Sequence, residues 1–293
     1  MSSLSYVRQL IRLMRPFQWW KNGFVFVGLF FGHAWTQPHI LWSSLLCAFA
    51  FCLVSSGVYV INDIMDVEAD RNHPKKRLRP IAAGTVSVQA ASILAAILWT
   101  VGFAAAWMVS WTALIIIAIY CLMNFAYSIR LKHVVIVDAF VIATGFILRV
   151  LAGTLGIGIP PSQWLLLCTI MVTLFLAFTK RRAEAIVMAE TNETGRKVLS
   201  HYTPELLDSL IGITAACTIL SYSLYATNPE TIRIHHTPNL IATVPLVTYG
   251  IFRYMYLLHK WHAGENPAKE LLGDKHMVAT AVTWILLTIW LIS

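Results

Sequence analysis

The chain has 293 residues, of which 58% are hydrophobic and 12% charged, with a formal net charge of +8 and a mean hydropathy of +0.67. Soluble domains carry about 25% charged residues, so the composition excludes a water-soluble globule, a disordered chain and a nucleic-acid-binding domain. It fits a polytopic helical membrane protein, whose positive charge signals topology and anionic-ligand binding rather than DNA binding.

In chain order, residues 4–16 place apolar and basic side chains, including Arg8, Arg12 and Arg15, at helical spacing. This predicts a short surface helix rather than a signal peptide. Nine spans follow, at about 23–36, 40–62, 87–108, 112–128, 135–155, 163–179, 205–226, 239–258 and 275–292. The first is short and reaches back toward Phe17, Trp19 and Trp20, which suit the membrane interface. Cys47, Cys52, Cys121, Cys168 and Cys217 all lie in apolar stretches without CxxC spacing, which reads as packing.

The connections alternate between two kinds. Residues 1–22, 63–86, 129–134, 180–204 and 259–274 are basic; 37–39, 109–111, 156–162 and 227–238 are short or poor in Lys and Arg, with Arg233 the only cation among them. The positive-inside rule puts the basic set, and hence the N-terminus, in the cytoplasm, and the C-terminus outside. No segment looks like a separate soluble domain, so residues 1–293 read as one integral membrane domain. Spans of this kind make the fold all-α.

The strongest chemical signal ends the second span. Asp63, Asp66 and Asp70 stand at i, i+3 and i+7, on one helix face, with Asn62 at its edge. A solvated helix end would explain one Asp, but it gives no reason to align three. Oxygen-only ligands on one side suit Mg²⁺, which bridges to substrate phosphates. Five cations follow within ten residues: Arg71, Lys75, Lys76, Arg77 and Arg79. Topology or anionic lipid accounts for some of them. Their adjacency to the carboxylates describes a site for a metal-bound polyphosphate.

Further polar groups stand at the same membrane face. Tyr127-Ser-Ile-Arg-Leu-Lys132 offers a second basic edge, and Asp138 lies near the cytoplasmic end of the fifth span. Arg149 is deep in that span, where a structural partner and a buried anion suit it equally. Lys180-Arg181-Arg182-Ala-Glu184 ends the sixth span, followed by a polar stretch from Glu190 to Tyr202 with Asn192, Arg196, Lys197 and His201. A basic cap and a phosphate site both fit those residues. The histidines show no metal-site spacing.

Asn62-Asp63-x-x-Asp66-x-x-x-Asp70, followed by the basic loop and Arg79-Pro-Ile-Ala-Ala-Gly84, resembles the first motif of the UbiA-type intramembrane prenyltransferase superfamily. The resemblance covers the whole chain. It implies nine transmembrane helices around a central cavity, capped by cytoplasmic loops. The second motif of that superfamily, DxxxD near the end of the sixth helix, is replaced here by Lys180-Arg-Arg-Ala-Glu184. Arg15-Pro-x-Gln-Trp-x-Lys21-Asn22, the run from Asp70 to Gly84, Leu131-Lys-His133 and Lys180-Arg-x-Ala-Glu184 are most similar to the branch that acts on decaprenyl phosphate.

That resemblance implies Mg²⁺-dependent transfer of 5-phosphoribose from phosphoribosyl diphosphate (PRPP) to a polyprenyl phosphate, for cell-envelope glycan precursors. It places the metal on Asp63, Asp66 and Asp70. Lys21, Asn62, Lys75, Lys76, Arg77, Arg79, Tyr127, Lys132, Asp138, Lys180, Arg181, Arg182 and Glu184 become the substrate-binding set. The expected location is the plasma membrane, with the site facing the cytoplasm and homo-oligomerisation left open. Two rivals stand beside it: a prenyltransferase using a prenyl diphosphate with an aromatic or glycerol-phosphate acceptor, and a non-catalytic transporter. The altered second motif disfavours the first, and the clustering of charge at one face disfavours the second.

Overall fold

The structure is a computed structural model that describes residues 3–191, 197–261, 270 and 272–292. All elements among the described residues are helical, and eight helices are long and apolar enough to cross a membrane. The chain resolves into two compact units: residues 1–129 with 148–160, and residues 130–147 with 161–293.

The first unit begins with α1 (Ser3–Met14), an amphipathic helix whose Leu13 is buried while Val7, Arg8, Ile11 and Arg12 are exposed. A helix with mixed apolar and basic exposure suits a membrane surface. The predicted first span takes a different form from the other eight. A 3₁₀ segment, Pro16–Phe26, leads into the short α2 (Val27–Phe31). At 3₁₀ and α-helical rises these together reach about 30 Å, the thickness of a hydrocarbon core.

Contacts of this segment step along α3 (Pro38–Met65) in the antiparallel sense. Trp19 Nε1 donates to Ser56 Oγ at 3.0 Å, and Asn22 Nδ2 to Cys52 Sγ at 3.2 Å. The tighter helix accompanies very close backbone packing: a Cβ at Gly153 would collide with the Val25 carbonyl. Hydropathy registers apolar content but not the helix type that such packing selects.

α3 packs most extensively with α5 (Val88–Val109), and α6 (Trp111–Ile129) joins them. Small residues allow the approach; Trp99 fills the space that a side chain at Gly57 would need. The end of this unit that carries the 66–86 connection is built on Leu13, Leu53, Val60, Ile81, Val86 and Ala91, which fix that connection onto α3. That connection turns at Gly84, whose φ of 71° favours glycine. Ser87 then caps α5 by accepting the Ala90 N–H at 3.2 Å.

In the second unit, α8 (Gln163–Thr191) and α9 (Pro204–Thr227) form the main helix pair. α7 (Val137–Ala152), of which residues 137–147 belong to this unit, α10 (Pro229–His235), α11 (Val244–Trp261) and α12 (Lys275–Ile292) complete the described helices. The core of this unit includes Ala139, Ala143, Phe175, Phe178, Leu207 and Leu258. Exposed apolar stripes recur at helical spacing, for example Ile93, Ile97 and Val101 on α5 and Val282, Leu286 and Ile289 on α12. In water such stripes would be aggregation sites; in a bilayer they are the lipid face.

Candidate active site

The three aspartates stand where one helix gives way to the next. α3 ends at Met65, Asp66 forms the break, and α4 (Val67–Arg71) follows. The i→i−4 ladder continues across the break: Asp66 N–H reaches Asn62 O at 3.0 Å, and Asp70 N–H reaches Asp66 O at 2.8 Å. Asp63 and Asp70 are each only 3% exposed and share one cation. Arg79 Nη1 donates to Asp63 Oδ1 at 3.0 Å and to Asp70 Oδ2 at 2.6 Å. Arg15 Nη2 pairs with Asp63 from the other side, and its guanidinium lies 5.1 Å from the centre of the Tyr59 ring. Asp66 is half-buried, whereas Glu68 is exposed and pairs with the exposed Arg71.

The connection after α4 sorts its own cations. Arg79 turns inward, while Lys75, Lys76 and Arg77 remain exposed around a turn in which His73 Nδ1 accepts the Lys75 and Lys76 N–H groups. Asn62 Oδ1 accepts from Ser128 Oγ. Lys21 and Tyr127 are half-buried. Deeper in this unit, Arg149 is a structural hub: Nε donates to Asn22 Oδ1 and Nη2 to the Tyr120 hydroxyl, both at 2.9 Å, with the Phe51 and Tyr120 rings against its guanidinium.

The donor set fits a magnesium ion. Carboxylate oxygens of Asp63 and Asp70 both lie within 3.0 Å of one cationic nitrogen, so this face already gathers positive charge. Mg²⁺ characteristically uses one or two carboxylates plus water and substrate phosphates. Among the described residues no three Asp, Glu, His or Cys side chains stand together so as to hold a metal, so Asp63, Asp66 and Asp70 are not gathered as a three-carboxylate site; the structure brings Asp63 and Asp70 onto one cation.

The second unit holds the other sequence-selected residues. Arg181 is buried, with Nε donating to Asp138 Oδ2 at 2.6 Å and Nη1 to Glu184 Oε2. Asp138 is fully buried, and its other oxygen accepts from the Tyr202 hydroxyl at 2.7 Å. Burial, reinforced by the Asp138 hydrogen bond, pushes the Tyr202 phenol up, so it stays a donor. The same hydroxyl accepts the Ile136 N–H at 2.6 Å. Ile136 has φ 68°, a costly conformation for a β-branched residue, about 1–3 kcal/mol.

Outside this buried network, Lys180 is half-buried beside Glu184 at 3.8 Å, and Arg182 Nε donates to Asp208 Oδ1 at 2.6 Å. Lys132 is half-buried, next to exposed Arg130 and His133. Asn192, Arg196 and the Lys197 side chain lie outside the described residues; His201 is exposed. Sequence reasoning gave no site role to Arg15, Ser128 or Tyr202. Only Arg15 carried a signal, through its place in the Arg15–Asn22 motif.

The UbiA prenyltransferase family model matches residues 23–273. The chain belongs to the UbiA prenyltransferase family. Among its relatives, decaprenyl-phosphate phosphoribosyltransferase of Mycobacterium tuberculosis is 33% identical, over 95% of this chain and 92% of that protein. The enzyme of the same name from Mycolicibacterium smegmatis is 32% identical, over 95% and 91%. A UbiA homolog from Archaeoglobus fulgidus, solved with GPP and Mg²⁺, shares the fold with a TM-score of 0.72 and 17% identity, covering 97% of this chain and 99% of that one. Family membership and the eight apolar helices make this UbiA protein a multi-pass membrane protein.

Proposed function

We propose that this protein is a transferase that moves 5-phosphoribose from PRPP to the phosphate of a polyprenyl phosphate and releases diphosphate. The similarity to decaprenyl-phosphate phosphoribosyltransferases over 95% of the chain supports the reaction. One structural observation favours it over the prenyl-diphosphate reading. Where a second carboxylate motif would stand, Arg181 pairs with Asp138 and Glu184, so that position presents a cation rather than a pair of metal-binding Asp side chains.

In this mechanism a lipid phosphate oxygen attacks the anomeric carbon. A bond forms from that oxygen to C1, the C1–O bond to diphosphate breaks, and diphosphate leaves with the electron pair. A phosphate is already a competent nucleophile, so no general base is needed. Asp63, Asp66 and Asp70 would hold Mg²⁺, which would supply charge neutralisation for the leaving diphosphate. Arg15 and Arg79 pair with the acidic face and would turn to diphosphate oxygens when the anion binds. Exposed Lys75, Lys76 and Arg77 add phosphate charge, with Lys21, Asn62, Tyr127 and Lys132 as further contacts. Lys180 and Arg182 are proposed for phosphate charge in the second unit.

The decisive assay supplies PRPP, polyprenyl phosphate and Mg²⁺ to purified protein. Diphosphate should appear only when all three are present, together with a labelled lipid product. Turnover of a prenyl diphosphate and an aromatic acceptor, with none of PRPP, would move the protein to the rival reaction.

The lipid product would serve cell-envelope glycan synthesis. The protein would work as one functional unit in the plasma membrane, with residues 66–86 cytoplasmic and the C-terminus outside. Cysteine labelling at exposed Lys76 and at Thr227 should therefore report opposite sides; labelling of both from the same side would refute this topology.

A further inference from the structure

The strained turn at Ile136 has one conspicuous restraint. Tyr202, from the segment before α9, reaches it with a hydroxyl that both accepts the Ile136 N–H and donates to Asp138. Asp138 is held in turn by Arg181, which is held by Glu184. Two separate stretches of this unit, α8 and the segment before α9, thus converge on Ile136 and Asp138, where the 130–137 connection ends. That connection carries Arg130 and then Lys132 and His133 on a short 3₁₀ turn, Leu131–His133, which packs near the 3₁₀ turn Lys197–His201 just before Tyr202. Ile136 itself is exposed, so its side chain contributes little packing that would demand this backbone.

We propose that Tyr202 is a positioning residue that holds the left-handed Ile136 turn, and through it presents the Arg130–His133 connection in one conformation to an anionic substrate. This rests on the reading above that Lys132 and its neighbours take phosphate. A loop presented in one conformation loses less entropy on binding. Without the hydroxyl, the Ile136 N–H and one Asp138 oxygen lose their partner and the strain is free to relax. The loop then samples other conformations, so substrate binding weakens while the chemical step is spared.

The test uses full-length protein in lipid nanodiscs. For Tyr202→Phe, KM for PRPP should rise about tenfold with kcat within about threefold of wild type. Trypsin cleavage after Arg130 and Lys132, mapped by mass spectrometry, should accelerate. Glycine adopts φ near 68° without strain. Adding Ile136→Gly to Tyr202→Phe should therefore restore most of KM and of the protection, a rescue that a purely structural role for Tyr202 would not produce. A loss confined to kcat or thermal stability, or a double variant no better than Tyr202→Phe, overturns the proposal.

A separate arm needs no turnover. Inorganic diphosphate with Mg²⁺ should shield Arg130 and Lys132 in the wild type and in the double variant, but poorly in Tyr202→Phe. Equal shielding of all three, or of none, overturns the proposal. Absence of PRPP turnover by the wild type would reject the functional reading while this arm still decides the clamp.

Discussion

Asp63→Asn should lower turnover by on the order of 10²-fold or more, about 2.7 kcal/mol of barrier at 1.36 kcal/mol per tenfold, with the protein still folded. The substitution keeps the size of the side chain and removes the charge that gathers cations at the end of α3. Arg79 retains Asp70 after the change, so the 66–86 connection keeps one of its ion pairs to the acidic face. Arg15 loses its carboxylate, but its guanidinium is partly exposed and still lies over Tyr59. The loss therefore falls on charge compensation for the leaving group more than on folding. Asp66→Asn should behave alike.

Glu68→Gln is the control. Its carboxylate is 80% exposed and pairs with an exposed Arg71, an interaction worth about 0–1 kcal/mol. Near-wild-type activity is expected of it. Initial rates with saturating PRPP and lipid, alongside thermal unfolding of each variant, check the set. Equal losses at Glu68 and Asp63, with normal folding of both, would show that the helical face does not organise the chemistry.

The contrast between Asp63 and Glu68 was legible in the sequence because a helix has a fixed period. Glu68 stands two residues from both Asp66 and Asp70, about 160° around the helix, which puts it on a different face. The spans were legible for a related reason: the boundaries 87–108 and 205–226 fall within a residue of Val88–Val109 and Pro204–Thr227. The sixth span was expected to end at 179, yet α8 continues to Thr191. Polar residues end a hydropathy run, but they do not end a helix.

Loops have no period, and there the sequence is silent about direction. Arg77 and Arg79 are two residues apart in the same basic run, and only the second turns into the acidic face. The 3₁₀ form of Pro16–Phe26 was hidden for another reason. It accompanies contacts with α3 and Gly153, which are far away in sequence. Arg15 is the clearest omission: its charge was visible, but the residue across from it was not.

Arg181 was equally visible as a cation and equally silent about its partner, and its replacement should produce the largest loss of stability. Arg181→Ala leaves the Asp138 carboxylate buried with the Tyr202 hydroxyl as its one remaining side-chain donor among the hydrogen bonds described above. Removing one partner of a buried ion pair costs about 3–5 kcal/mol, a large share of the roughly 5–15 kcal/mol that holds a typical protein folded. Thermal unfolding in detergent should fall by more than about 5 °C, before any substrate is added. Arg182→Ala should cost far less, about 1 kcal/mol or below, because its partner Asp208 is 39% exposed.

The double replacement Arg181→Met with Asp138→Leu separates the two roles open to Arg181. It removes both charges and fills their volume with apolar atoms, which is often neutral for a buried pair. Most of the lost stability should return. Activity should return only in part, because Tyr202 and Glu184 have each lost a partner in the network that restrains the 130–137 connection. An Arg181→Ala protein with unchanged thermal unfolding and a raised KM would instead place this guanidinium on substrate phosphate. In that case the ion pair with Asp138 would be one that opens when the anion binds, as proposed for Arg79 on the acidic face.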